Sequence, residues 1–251
     1  MNILVTGGTG TLGRVVAERL LATGQRVRVL SRRPAPTGTP YGWCTGNLRS
    51  GAGIDQAVAG VDVIVHAATT LGRGDVEATR KLVAAARRAG SPRLVYISIV
   101  GVDQVPLFYY RAKLSAERVV EASGLPWTIL RATQFHDLIA AMSRVQRRLP
   151  VTFTLAKVRF QPIDVGEVAE RLAELAVDEP RGRVSDIGGP EVREAVDLAR
   201  TYLRAVGRRR RVVPLWLPGK TGRGYRRGGH LAPDHAVGRI TFEEFLRRSR
   251  P

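Results

Sequence analysis

Tyr109 and Lys113 stand four residues apart in the stretch Tyr109-Tyr110-Arg111-Ala112-Lys113. On a helix, positions i and i+4 share a face, with Cβ atoms about 5–6 Å apart. An ammonium beside a phenol favours the phenolate, so the spacing predicts that Lys113 lowers the Tyr109 pKa from its ordinary value of about 10. Such a phenol can pass a proton to a carbonyl oxygen. Ser98, closing the apolar run Arg93–Ser98 just upstream, offers a hydroxyl to the same oxygen. Tyr109, Lys113 and Ser98 are therefore the candidate catalytic residues.

A second constellation lies at the start of the chain, in Thr6-Gly7-Gly8-Thr9-Gly10-Thr11-Leu12-Gly13. Gly7, Gly10 and Gly13 are spaced G-x-x-G-x-x-G between an apolar strand and an amphipathic helix, the context in which such spacing binds a dinucleotide. Gly7 permits the sharp turn, Gly10 lets the backbone approach a pyrophosphate, and Gly13 lets helix and sheet pack closely. The amides of Thr9, Gly10, Thr11, Leu12 and Gly13 then face the phosphates, aided by the helix dipole. Leu30-Ser31-Arg32-Arg33 closes the second strand without the acid that an NAD site places there for the ribose hydroxyls. Two guanidiniums suit a 2′-phosphate, so Ser31, Arg32 and Arg33 predict NADP(H) in preference to NAD(H).

Elements that position these residues follow from periodicity. Asn2–Thr6, Arg26–Ser31, Tyr41–Thr45, Asp62–Ala67, Arg93–Ser98 and Trp127–Arg131 read as strands. Leu12–Thr23, Val76–Ala89 and Tyr109–Ser123 read as helices, each stopped by a glycine. Strands separated by helices pair in parallel, and right-handed crossovers give an α/β, Rossmann-type doubly wound sheet. Ligands bind beyond the carboxyl ends of such strands, which adds Asn47, Leu48, Ala67, Ala68 and Thr69 as cofactor contacts, with Lys113 reaching the ribose. His66, inside an apolar run, reads as a core histidine. Helices are also predicted over Asp164–Ala176, Val192–Val206 and Thr241–Arg248. The whole chain is read as one dinucleotide-binding domain, with residues 1–149 mostly its cofactor core and 150–251 a smaller substrate lobe and lid.

The stretches NILVTGGTGTLGR, VDVIVHAAT, RLVYISIVGVD, YYRAKLSAE, SGLPWTILRATQFHDL and LAPDHAVGRITFEEFL resemble the short-chain dehydrogenase/reductase superfamily, and within it the atypical, NmrA-like NAD(P)H-binding branch. The resemblance implies a Rossmann fold that binds NAD(P)H and reduces a small carbonyl, quinone or enone. It also implies that Arg131–Asp137 borders nicotinamide and substrate, making Gln134, Phe135 and His136 pocket candidates. Some members of that branch are redox sensors without turnover, and some act on aromatic polyketide quinones. Both remain alternatives to a general reductase. The glycine spacing is that of the atypical and extended members, and many NmrA-like members lack or do not use the tyrosine. Here Tyr109, Lys113 and Ser98 are all present, which favours an enzyme.

With 251 residues and 44% hydrophobic composition, the chain can bury a core without disulfides or metal. One cysteine, Cys44, and four scattered histidines argue against a zinc site, so no metal is expected. No apolar run reaches the roughly 18–20 residues of a membrane helix. The amino terminus does not read as a secretory signal, so the expectation is a cytoplasmic protein. Oligomeric state is not legible. Lys+Arg 40 against Asp+Glu 22 gives a net charge of +18. Thirteen basic residues and three acids fall between Thr201 and Pro251, including the run Arg208–Arg211 and the glycine- and arginine-rich Gly219–Gly229. This stretch reads as a lid or surface loop rather than a nucleic-acid site, because glycine-rich loops beside a Rossmann site commonly close on ligand.

Overall fold

The computed structural model describes residues 1–70, 72 and 74–249. In chain order the strands are β1 (Asn2–Thr6), β2 (Arg26–Ser31), β3 (Gly42–Thr45), β4 (Val63–His66), β5 (Arg93–Ile99), β6 (Trp127–Ala132), β7 (Val151–Leu155), β8 (Arg159–Phe160), β9 (Gly182–Arg183), β10 (Arg193–Glu194) and β11 (Arg211–Leu215). The helices are α1 (Thr11–Ala22), α2 (Ile54–Val58), α3 (Gly74–Arg88), α4 (Phe108–Glu121), α5 (His136–Arg144), α6 (Val165–Val177), α7 (Ala195–Ala205), α8 (Gly219–Arg226) and α9 (Phe242–Arg248).

Among the described residues, seven strands form one parallel sheet in the order β3-β2-β1-β4-β5-β6-β9. β1 pairs with β2 on one side, Thr6 opposite Leu30, and with β4 on the other, Thr6 opposite His66. The strand order therefore reverses between β1 and β4, which opens a crevice at their carboxyl ends. β4 is buried throughout, as a strand covered by helices on both faces must be. The helix α1 ends where Gly24 turns left-handed, its N–H on the Leu21 carbonyl and that of Gln25 on the Leu20 carbonyl, a closure that only a residue without Cβ makes cheaply.

The chain divides into two compact units. The first comprises Met1–Ser98, Phe108–Leu130 and Gly166–Val184. Its core sets Leu4, Ile64, Leu94 and Ile129 of the strands against Leu82 of α3 and Ala116 and Val120 of α4. The second comprises Ile99–Leu107, Arg131–Val165 and the chain from Ser185 onward. There Ile139 of α5, Leu198 of α7 and Phe242 and Leu246 of α9 share a core with Val158 and Phe160. β7 and β11 pair in parallel, and β8 and β10 antiparallel. α9 starts with a capping box, Thr241 accepting from the Glu244 amide while Glu244 accepts from that of Thr241.

One expectation is corrected here. Gly219–Gly229 is not a loop along its length: Gly219–Arg226 is α8. Composition misleads because Gly222 serves close packing. A Cβ there would lie 1.8 Å from the Leu217 carbonyl oxygen. Arg226 donates to that same oxygen at 2.8 Å and stacks 3.8 Å from the Trp216 ring centre.

Candidate active site

The glycine turn joins β1 to α1 within the first unit. Gly7 has φ +72°, and a Cβ on it would meet the Ala68 backbone at 2.8 Å, so the turn and the strand end after β4 touch backbone to backbone. A Cβ on Gly13 would lie 2.2 Å from the Gly7 carbonyl oxygen. Gly10 precedes α1 in extended conformation, and no side chain caps the helix. Thr9, Gly10 and Thr11 are exposed, whereas Leu12 and Gly13 are buried. The Gly10 amide is taken by the Gly7 carbonyl at 2.8 Å, so the donors left for a diphosphate are the amides of the first turn of α1, which no side chain caps.

At the end of β2, Ser31 is buried and its Oγ accepts the Arg33 amide at 3.1 Å. The Arg33 carbonyl accepts from Trp43 Nε1 at 2.9 Å, which pins the backbone that carries both arginines. Both side chains are exposed, and among the described residues neither guanidinium has a carboxylate partner. Asn47 Oδ1 accepts the Arg49 amide at 2.9 Å, closing its own turn, and Leu48 packs on the core. Ala67 and Ala68 line the turn through their backbone, the Ala68 amide donating to Thr6 Oγ1 at 3.3 Å.

Around Tyr109 the site is built from side chains. Thr69 Oγ1 lies 3.2 Å from the Tyr109 hydroxyl and donates to Asp75 Oδ2 at 2.7 Å. Asp75, buried in the first turn of α3, also accepts the Thr70 hydroxyl at 2.7 Å and the Thr70 amide. Its carbonyl accepts from Thr79 Oγ1 at 2.7 Å. Thr79 in turn lies 3.1 Å from His66 Nε2, and His66 Nδ1 lies 2.7 Å from Thr6 Oγ1. Both ring nitrogens of His66 are thus occupied, and burial together with the Lys113 charge lowers its pKa to about 3, so it is neutral. It is the core histidine that the sequence indicates.

Lys113 departs from expectation. Its ammonium donates to the Ile97 carbonyl at 2.7 Å and sits 4.2 Å from the Tyr96 ring centre. Burial lowers its pKa to about 8, while Asp75 and Glu117 oppose that shift. Burial also raises the Tyr109 phenol, Thr69 draws it down and the Asp75 charge raises it further. The predicted lowering of Tyr109 by Lys113 is therefore corrected: a buried ammonium must reach an acceptor, and the nearest is a carbonyl of β5. That bond fastens α4 beside Ser98 instead. Ser98 is 2% exposed, and its Oγ has no hydrogen-bond partner among the described residues.

In the second unit, Gln134 is buried, with Nε2 3.4 Å from the His230 carbonyl oxygen, and Phe135 is the half-buried cap of α5. His136 is 1% exposed, stacks on Phe242 and Phe245, and points Nε2 at the Ile240 carbonyl 2.9 Å away. Its ring is packed among aromatics rather than presented to solvent. Asp75 is the site residue that sequence reasoning missed. The only signal was an acid in the first turn of a helix, which ordinarily reads as a dipole partner. No cluster of His, Cys, Asp and Glu among the described residues can hold a metal ion. No described helix is long and apolar enough to cross a membrane.

A parallel sheet with a glycine turn at its switch point, an uncapped helix start and two exposed arginines just after the next strand defines a Rossmann-type dinucleotide-binding protein. The chain belongs to the NAD(P)H-binding family, whose profile matches residues 7–177. It is 34% identical over 215 residues, 82% of this chain and 74% of the relative, to the (4-alkanoyl-5-oxo-2,5-dihydrofuran-3-yl)methyl phosphate reductase of Streptomyces griseus. In fold it resembles an NADPH-dependent quinone oxidoreductase of Escherichia coli solved with NADPH, with TM-score 0.84 and 19% identity over 98% of this chain and 99% of that one. A triphenylmethane reductase of Citrobacter sp. solved with NADP(H) matches over 100% of both chains, with TM-score 0.82 and 17% identity.

Proposed function

We propose that this NAD(P)H-dependent oxidoreductase is an NADPH-preferring reductase of the atypical, NmrA-like short-chain type, acting on a small carbonyl, quinone or enone. Bound NADPH supplies the hydride. The α1 amides hold the diphosphate, and Arg32 and Arg33 clasp the 2′-phosphate. Ser98 donates a hydrogen bond to the acceptor oxygen of the substrate. Tyr109, kept protonated at neutral pH by burial, gives that oxygen its proton. Lys113 holds α4 against β5 so that Tyr109 and Ser98 keep their places. The conjugated ring in the name of the Streptomyces reductase's substrate agrees with an enone or related acceptor.

The observation that carries the catalytic reading is the Ser98 hydroxyl, buried without a partner. Leaving such a group unsatisfied costs about 1–3 kcal/mol, which a ligand oxygen removes. Tyr109→Phe tests the reading in an assay of NADPH oxidation across quinones and aldehydes. Loss of about 10²-fold or more in kcat with NADPH affinity retained is expected of a proton donor. Unchanged turnover removes Tyr109 from the chemistry. A second reading, a non-catalytic NADP(H) sensor, draws on Lys113 being turned to the Ile97 carbonyl rather than to Tyr109. It predicts tight NADPH binding and no turnover with any acceptor.

A further inference from the structure

We propose that the second unit docks on an anionic phospholipid bilayer, through the uncovered side of the β7–β11 ribbon and the arginines at its start. The proposal goes beyond the reduction and does not depend on it. The parallel register sets Val151 beside Arg211, Phe153 beside Val213 and Leu155 beside Leu215, so these positions share one side of the ribbon. Thr152 and Thr154 take the other side, against α7: Thr152 is buried, and the Thr154 hydroxyl donates to the Ala195 carbonyl at 3.3 Å. On the first side Phe153, Leu215 and Arg211 are exposed, Val151 and Val213 are half-buried, and only Leu155 closes onto the core. Leu149, just before β7, is 44% exposed, and Trp216, just after β11, is 56% exposed.

The edges of the ribbon are closed, so what it offers is its face. Gln146 accepts the Phe153 amide at 2.8 Å and donates to the Phe153 carbonyl at 2.9 Å, which shuts the outer edge of β7. Leu215 gives its carbonyl to Ala156 on the β7 side, so Pro214 faces outward, and a proline has no amide for a further strand. Arg210 donates to the carbonyls of Gln146 and Arg147, which brings Arg208 and Arg209 to the turn that carries Arg147, Arg148 and Leu149. Charge selects the occupant. No Asp or Glu occurs in residues 138–163 or 198–233, which hold fifteen Arg and Lys. Arg147, Arg148, Arg208, Arg209 and Arg211 are exposed, with no carboxylate partner among the described residues. A second copy of so basic a face repels the first. Nucleic acid answers the arginines but leaves the aliphatic Leu149, Val151, Val213 and Leu215 in water. An anionic bilayer answers both: headgroup phosphates meet the guanidiniums, and Leu, Phe and Trp side chains enter the boundary with the acyl chains. The contact is with the bilayer surface, since no described helix is long and apolar enough to cross it.

Flotation of the full chain with lipid vesicles tests this. We expect binding to vesicles of phosphatidylcholine mixed with phosphatidylglycerol, little binding to phosphatidylcholine alone, and weakening as salt rises. Arg147→Glu with Arg208→Glu and, separately, Leu149→Ser with Leu215→Ser should each lower the partition coefficient at least about tenfold, with circular dichroism and NADPH binding as in the wild type. Brominated acyl chains should quench tryptophan fluorescence in the wild type and not in Trp216→Phe, because the other two tryptophans, Trp43 and Trp127, lie in the first unit. If the leucine variant fails to fold, this quenching decides. The inference is overturned by a chain that does not float with the anionic vesicles at low salt, whether or not it binds duplex DNA, and by equal binding to the neutral ones. Loss in the arginine variant alone overturns it too, as adsorption of a basic chain without its apolar face, and so does quenching that persists in Trp216→Phe.

Discussion

The two ends of the candidate site are built differently. At the nucleotide end, backbone does the work: Gly7, Gly10 and Gly13 bring main chain against main chain, and the charges of Arg32 and Arg33 are exposed. At the Tyr109 end, buried side chains do it, from Tyr109 through Thr69 and Asp75 to Thr79, His66 and Thr6. The first design tolerates no added atom at its turns but leaves its charges free to be exchanged. The second tolerates modest changes of shape but not of charge or proton count.

The sharpest break comes from Gly13→Val. Its first added carbon alone would lie 2.2 Å from the Gly7 oxygen, so turn and helix must part. We expect a loss of NADPH binding of at least about 100-fold by calorimetry and a fall in Tm, as for other overpacked sites that cost about 1–3 kcal/mol or more. Intact binding would show the turn to be looser than a backbone cradle allows.

Acid tests the other end. His66 has a folded pKa of about 3 against an ordinary 6.5, so the unfolded chain binds more protons between those values. Stability from this group is full above about pH 6.5 and declines as pH falls toward 3, by up to about 1.4 kcal/mol per pH unit. Urea unfolding at pH 7 and pH 4.5 measures it, and His66→Gln is expected to flatten the dependence. An equal slope in both proteins would mean that the histidine is not held neutral.

A smaller effect is expected where charge is free. Arg32→Ala combined with Arg33→Ala should weaken NADPH by roughly 10- to 100-fold, the worth of one or two charge-assisted bonds, and leave NADH nearly unchanged. Tm should move little, because neither guanidinium has an internal acid partner among the described residues. Equal loss for both coenzymes would sharpen the comparison in another direction, by placing these arginines on the diphosphate.

The same division explains what the sequence made legible. The glycine turn, the arginines after β2 and the alternation that makes a doubly wound parallel sheet depend on neighbours in the chain, and each was readable; the strand order itself was not. The network around Asp75 was not, because it joins β4, α3 and α4, and nothing local says which hydroxyl a first-turn acid will meet. Lys113 was placed on the right helix face but aimed wrongly, since its acceptor is a carbonyl sixteen positions away. The pairing of β7 with β11 joins segments about sixty residues apart, and α8 hides behind a glycine content that packing explains.

The bare start of α1 has one more consequence. A helix whose opening amides wait for an outside acceptor is completed by its ligand, so occupancy stabilises the folded chain, by about 2.7 kcal/mol when the ligand stands at a hundred times its dissociation constant. Proteolytic half-life should therefore lengthen with the coenzyme pool, tying the abundance of the protein to the supply of reducing power.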